Sequence, residues 1–179
     1  MLIHSIFHGC TDWRTIVAQS TRQERTPQRF RVELSGGFYK THERIRKFNT
    51  KDTYPEQNLD NDLCQAVVTR GGRTVWIRGQ CPQDLDDATN LDSHDPTQQT
   101  HKVMQNIRQL IQEAGGNMSH LVKMVVYVTD IRHREAVYQT MGEYIRGVHP
   151  VSTGLVVQAL ARPEWRVEID ATAVIPDED

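Results

Sequence analysis

The stretch from Trp165 to Ala173 constrains this chain more than any other. Trp165, Val167, Ile169, Ala171 and Ala173 alternate with Arg166, Glu168, Asp170 and Thr172. A period of two is the signature of a β-strand, with one apolar and one polar face. Such a strand requires a sheet with its apolar face on a core and its other face wet or covered.

The preceding residues supply the rest of a layered domain. Asp95-Pro96 opens a helix, because Asp is a good N-cap and Pro suits the first helical position. Val103, Ile107, Leu110, Ile111 and Ala114 form its apolar stripe, and Gly115-Gly116 ends it. Val122 to Val128 is almost continuously apolar and is expected to be a strand buried on both faces. Asp130 is expected to cap a second helix, with Ala136, Val137, Met141, Tyr144 and Ile145 inward and Gly147 at its end. A strand over about residues 154–160 is expected to follow His149-Pro150. Earlier in the chain, Ala66-Val67-Val68 and Thr74-Val75-Trp76-Ile77 flank Gly71-Gly72, which predicts a hairpin. This order predicts an α+β fold with one mixed sheet and two helices packed on one face. The other face would carry Arg78, Glu168 and Asp170 beside Val125 and Tyr127. A partly apolar open face predicts self-association.

Residues 1–60 read differently. They are rich in Arg, Thr, Gln and Asn and show only a short helical start at Thr11–Val17 and a weak hairpin at Phe30–Leu34, returning at Phe38-Tyr39. The chain is therefore divided into an N-terminal extension, 1–60, and a domain, 61–179. With 21 basic and 23 acidic side chains the formal net charge is −2, and the basic patches Arg44–Lys47 and Arg132–Arg134 are short. They read as solvated surface, and no nucleic-acid partner is expected. No apolar run is long enough for a bilayer, and the first residues lack the charged region of a signal peptide. Cys10, Cys64 and Cys81 are odd in number and irregularly spaced, which fits neither a disulfide framework nor a zinc site. The acidic loop from Cys81 to Asp95 lacks the spacing and glycine of a calcium loop. A cytoplasmic protein without metal or cofactor is expected.

From Asp62 to Val174 a series of motifs occurs in order. Cys64-Gln65-Ala66-Val67 resembles a Ser-Gln-Ala-Val motif, and Arg78-Gly79-Gln80 with Pro82 stands where Ser-Gly-Gln is usual. Gln99-Thr100, Asn106-Ile107 and Ala114-Gly115 fit the pattern Q-T-x-x-x-x-x-N-I-x-x-x-L-x-x-A-G. Val122–Asp130, Val137-Tyr138, Pro150 and Val167-Glu168-Ile169 with Ala171 complete the series. Together they are similar to the Rid superfamily (YjgF, reactive intermediate deaminases). The resemblance implies a chorismate-mutase-like fold and a homotrimer, with three sheets around a central barrel and a pocket at each subunit junction. It also implies a small-molecule substrate. Active members deaminate enamines and imines released by pyridoxal-phosphate enzymes. An arginine grips the substrate carboxylate, and a water held by a glutamate and backbone groups attacks the imine carbon.

The resemblance is broken where that arginine should stand. Pro150-Val151-Ser152-Thr153 replaces Pro-Ala-Arg-Ser, so Ser152 takes its position. A serine hydroxyl cannot pair bidentately with a carboxylate as a guanidinium can. The family's pocket tyrosine corresponds to Leu63, the asparagine of its second helix to Glu135, and a cysteine of some members to Gly154. Glu168 is the candidate acid/base. Arg78, Gly79, Gln80, Tyr127, Ser152 and Thr153 are candidate substrate-binding residues, with Cys81, Leu63, Glu135 and His149 as candidate neighbours. If Trp76, Arg78 and Gln80 share a strand face, Arg78 replaces the lost positive charge from the opposite wall; alternatively it pairs with Glu168 or Asp170. Glu168 is either an acid/base raised by burial or half of a structural ion pair. Cys81 as a nucleophile needs a base beside it. His149 is either a pocket-rim group or a solvated one.

Three functions are consistent with this reading. The first is hydrolytic deamination of an imine, enamine or related C=N compound. The second is a non-catalytic ligand-binding or regulatory trimer. The third is hydrolysis of a cyclic or activated amide, although no Ser-Lys pair is evident.

Overall fold

The computed structural model describes residues 42–177. The helical start at Thr11–Val17, the weak hairpin at Phe30–Leu34 and Cys10 lie outside the described residues.

Among the described residues six strands and three helices follow one another: β1 (Glu43–Asn49), the single turn α1 (Thr50–Thr53), β2 (Asp62–Val68), β3 (Arg73–Gln80), α2 (Pro96–Glu113), β4 (Leu121–Val128), α3 (Arg134–Ile145), β5 (Val151–Val156) and β6 (Val167–Ile175). β3, β6, β4 and β5 form a mixed sheet in that order, parallel only between β4 and β5. β1 and β2 form a separate antiparallel ladder. The expected α+β architecture with a mixed sheet is what the chain adopts.

The alternation in β6 does what its pattern demands. Val167, Ile169, Ala171 and Ala173 are buried, and Glu168, Asp170 and Thr172 lie on the other face. α2 begins at Asp95, whose side chain accepts from the Thr97 N–H, and Gly115 takes a left-handed φ of 84° just past its end. Val103, Met104, Ile107 and Ile111 are fully buried. Burying each such side chain stabilises the fold by roughly 1.5–3 kcal/mol. Met124, Val126 and Val128 of β4 join them. The opposite side of β4 is not buried within the chain: Lys123 is exposed and Val125 and Tyr127 are half-buried. The expected burial on both faces is therefore not met by one chain alone.

Two polar members of the sequence motifs prove to be structural. Gln99, fully buried, donates to the Ser93 and Glu164 carbonyls and accepts from the Arg166 N–H. Asn106 donates to the Gln83 carbonyl at 2.7 Å and to that of Cys81. Buried amides satisfied in this way fix loops. Here they hold the start of β6 and the segment after β3.

Several expectations need correction. Gly71-Gly72 does not close a β2–β3 hairpin: β2 pairs with β1, and β3 pairs with β6. The glycines serve another contact. Gly72 has φ 81°, and a Cβ there would lie 2.6 Å from the Ile175 carbonyl oxygen. Asp130 caps a short 3-10 turn, Ile131–His133, and α3 proper starts at Arg134. Tyr138 belongs to the buried face of α3, while Ala136 and Tyr144 are only half-buried. The fifth strand is Val151–Val156 rather than 154–160, because it runs in parallel register with Lys123–Val128.

β1 precedes the division drawn at residue 60, yet it is paired along β2 from Glu43↔Val68 to Asn49↔Asp62. Arg44, expected on a solvated patch, is half-buried and donates to the carbonyls of Ser119, Leu121 and His149. That side chain bridges β1 to the starts of β4 and β5.

Candidate functional site

The candidate residues fall on two surfaces. The first is the open face of the four-stranded sheet. Trp76 and Arg78 of β3, Tyr127 of β4 and Glu168 and Asp170 of β6 lie there. Tyr127 Oη donates to Asp170 Oδ2 at 3.0 Å, and this bond pushes the phenol pKa up. Arg78 is exposed and, among the described residues, forms no ion pair. Within one chain, the pairing of Arg78 with Glu168 or Asp170 is not made.

A β-bulge shapes this surface. Ile77 pairs with Ala171 and Gln80 with Ile169, so three steps along β3 match two along β6. The extra residue turns Gln80 into the core, where it is 4% exposed and donates to the Arg78 carbonyl. Trp76, Arg78 and Gln80 therefore do not share a face; the expected alternation is broken by the inserted residue. Gly79 sits at the break. A Cβ on Gly79 would be 1.9 Å from Glu168 Oε1, so the carboxylate lies directly against its backbone. Glu168 is half-buried and pairs with no described cation. Cys81, 8% exposed, follows the bulge. Burial, and then the adjacent negative charge of Glu168, push its thiol up to about 12. A thiol held so high is not a nucleophile near neutrality.

The second surface is a cleft of about 580 Å³ between β2, β5, α3 and the segment around α1. Leu63, Ser152 and Thr153 line it, together with Phe48, Tyr54, Arg134 and Tyr138. Ser152 Oγ is buried, and its polar neighbour is the Tyr138 phenol, which does not reach the geometry of a well-formed hydrogen bond. Tyr138 lies over Gly154: a Cβ there would be 2.2 Å from the phenol oxygen. Burial pushes the Tyr138 phenol pKa up. Arg134 stacks its guanidinium 4.7 Å above the Tyr138 ring.

Glu135 is absent from this lining. It is exposed and accepts from Asn58 at 2.7 Å and from Gln139. The α3 residue that meets Ser152 and Gly154 is Tyr138, four positions after Arg134 and so on the same helix face. His149 contributes its backbone: its carbonyl accepts from Arg44 and from the Cys64 thiol. Phe48, Tyr54, Arg134 and Tyr138 were missed by sequence reasoning. The i,i+4 spacing of Arg134 and Tyr138 was the one available signal.

The family model described as endoribonuclease L-PSP matches residues 60–175. Protein DfrA of Myxococcus xanthus is 34% identical over 111 residues, 62% of this chain and 82% of that protein. A RutC family protein of Pyrococcus abyssi is 26% identical over 102 residues, 57% of this chain and 79% of that one. Among solved structures, a protein of unknown function of the conserved Rid family, YyfB of Yersinia pestis, matches with a TM-score of 0.60 and 28% identity. It covers 73% of this chain and 98% of its own. RidA of an Antarctic Psychrobacter matches with a TM-score of 0.53 and 25% identity over 60% of this chain and 85% of that one.

Proposed function

The chain belongs to the endoribonuclease L-PSP (Rid) family, and from that premise we propose that it is a homotrimeric hydrolase that deaminates imines or enamines in a pocket between subunits. The observation that carries this reading is the Glu168 carboxylate, lodged against Gly79 on an open sheet face and unpaired with any described cation.

The sheet face itself supports assembly. Trp76, on the edge strand β3, is 80% exposed and adjoins the half-buried Val125 in one hollow, an apolar patch that contact with another chain would cover. Neither surface is a complete site. On the sheet face Glu168 borders a hollow with Tyr127, Val157, Ala159 and Leu160 but no cation lines it, and the cleft holds the cation Arg134 without a carboxylate. A closed three-fold ring would set one chain's sheet face against its neighbour's cleft.

The chemistry is hydrolysis of C=N. Glu168 accepts a proton from a water as its oxygen bonds to the imine carbon and the C=N π electrons move to nitrogen. Glu168 returns that proton to the nitrogen, which gives the carbinolamine; it then takes the hydroxyl proton and passes it to the same nitrogen as C=O forms and the C–N bond breaks, so ammonia leaves with both protons of the water. An enamine enters after protonation on carbon. No cofactor is required by this balance. A positioned general base of this kind contributes typically ~10²–10⁴-fold in rate.

The test is ammonia release from imino acids generated in situ by an amino-acid oxidase. Wild-type protein is expected to exceed spontaneous hydrolysis, Glu168→Gln to lose about 10²-fold or more, and sedimentation to give a three-chain mass. No acceleration across a panel of imino acids, or a monomer at assay concentration, overturns the reading. Ser152 at the carboxylate-gripping position favours a second reading, a trimer that binds a small molecule without turnover. Ligand-induced thermal stabilisation without ammonia release is its signature.

A further inference from the structure

We propose that Arg134 is the carboxylate anchor of the cleft, in place of the residue at position 152, and that Phe48 and Tyr54 select acids with an aromatic body. The proposal rests on the reading of this cleft as part of the substrate site.

Three observations converge on Arg134. Its guanidinium lies 4.7 Å above the Tyr138 ring, an arrangement that fixes the plane while leaving the N–H edges free. It forms no ion pair with a described residue, and no Asp or Glu lines the cleft. Ser152 Oγ, on the same lining, is buried beside the Tyr138 phenol without a well-formed hydrogen bond to it. A carboxylate entering the cleft would satisfy both. One oxygen pair takes the guanidinium fork, and the hydroxyl donates a further bond. The anchor has thus moved from strand β5 to the first residue of α3, on the neighbouring wall.

The remaining wall sets the size and polarity of the ligand. Phe48 and Tyr54 meet edge to face, with ring centroids 6.2 Å apart, and both line the cleft with Leu63. They come from β1 and the turn after α1, ahead of the matched residues 60–175. A small aliphatic acid would leave this apolar wall in water. An aromatic ring would cover it, at about 25 cal/mol for each Å² removed from water.

Titration calorimetry on the full chain tests this with three probes: phenylpyruvate, pyruvate and the neutral ketone phenylacetone. Phenylpyruvate is expected to bind at least about tenfold more tightly than either of the others. Arg134→Met is expected to weaken phenylpyruvate by about 10–100-fold while leaving phenylacetone unchanged, since charged hydrogen bonds are lost. Arg134→Lys keeps the charge but not the fork and is expected to recover only part of the loss. Phe48→Ala is expected to remove the preference over pyruvate. Thermal melts of each variant confirm folding. Wild-type affinity in Arg134→Met, equal binding of the acid and the neutral ketone, or no binding of any probe overturns the proposal. Binding lost in Arg134→Met with no ammonia release by wild type supports the anchor and refutes deamination. Release with unchanged KM in Arg134→Met refutes the anchor alone.

Discussion

Replacing Gly79 with alanine separates the position of Glu168 from the stability of the fold. The backbone of Gly79 does not have a left-handed φ, so alanine is conformationally allowed there. Its Cβ would nevertheless lie 1.9 Å from Glu168 Oε1, 2.7 Å from Cδ and 2.9 Å from Cγ. Ordinary contact begins at 3.4 Å, so the oxygen must retreat by 3.4 − 1.9, about 1.5 Å. What yields is the end of a flexible side chain. An off-rotamer side chain costs ~0.5–1.5 kcal/mol. Gly→Ala returns about 0.4–1 kcal/mol by restricting the unfolded chain. The two nearly offset, so the thermal midpoint is expected to move by no more than about 2–4 °C. Catalysis has no such offset, because a misplacement near 1 Å costs about 10²-fold. Gly79→Ala is therefore expected to fold normally and to release ammonia from imino acids about a hundredfold more slowly. Adding Glu168→Gln should cause little further loss, because both changes remove the same group. Wild-type turnover in Gly79→Ala would refute the role given to the carboxylate. A fall in midpoint beyond about 10 °C would show that the backbone, not the side chain, had to move.

Two further outcomes follow from burial. Burial and Glu168 hold the Cys81 thiol near about 12, and burial also raises Cys64. Both should resist iodoacetamide in the native protein at about pH 8 and react on unfolding, as peptide mapping would show; rapid native labelling of Cys81 would contradict this placement. Burial also lowers the pKa of His42 and His120. His120 Nδ1 accepts from the Asn117 N–H at 3.1 Å, a bond that protonation of that nitrogen removes. The unfolded chain then binds these protons more readily than the folded one. Their stabilisation is full above the ordinary histidine value of 6.5 and is lost as pH falls through the lower folded values. Melting temperature should fall as the pH drops below 6.5, with a shallower slope in His120→Asn; an unchanged slope would exclude His120 as a source.

The placement of cation and base on different surfaces explains why neither is held by a partner inside the chain. Arg134 and Glu168 would neutralise each other if they met in the monomer. Kept on a cleft and on a sheet face, each stays unpaired among the described residues.

What the sequence determined by itself was local. Alternation assigned the faces of β6, including the outward Glu168, and a 3.6-residue stripe with Asp95-Pro96 and Gly115 marked α2. Motif order sufficed for the family. Period and capping need only neighbours along the chain, so they can be read in one dimension. Tertiary structure decided everything that depends on which strand meets which. It sent β2 to β1 and β3 to β6, and it inserted the bulge that buries Gln80 and sets Gly79 against Glu168. It also placed Arg134 and Tyr138 of α3 over Ser152 and Gly154 of β5 and brought Phe48 and Tyr54 to the same cleft. Pairing and bulges answer to the whole sheet, and a cleft joins residues far apart in sequence. No short window of the chain carries that information.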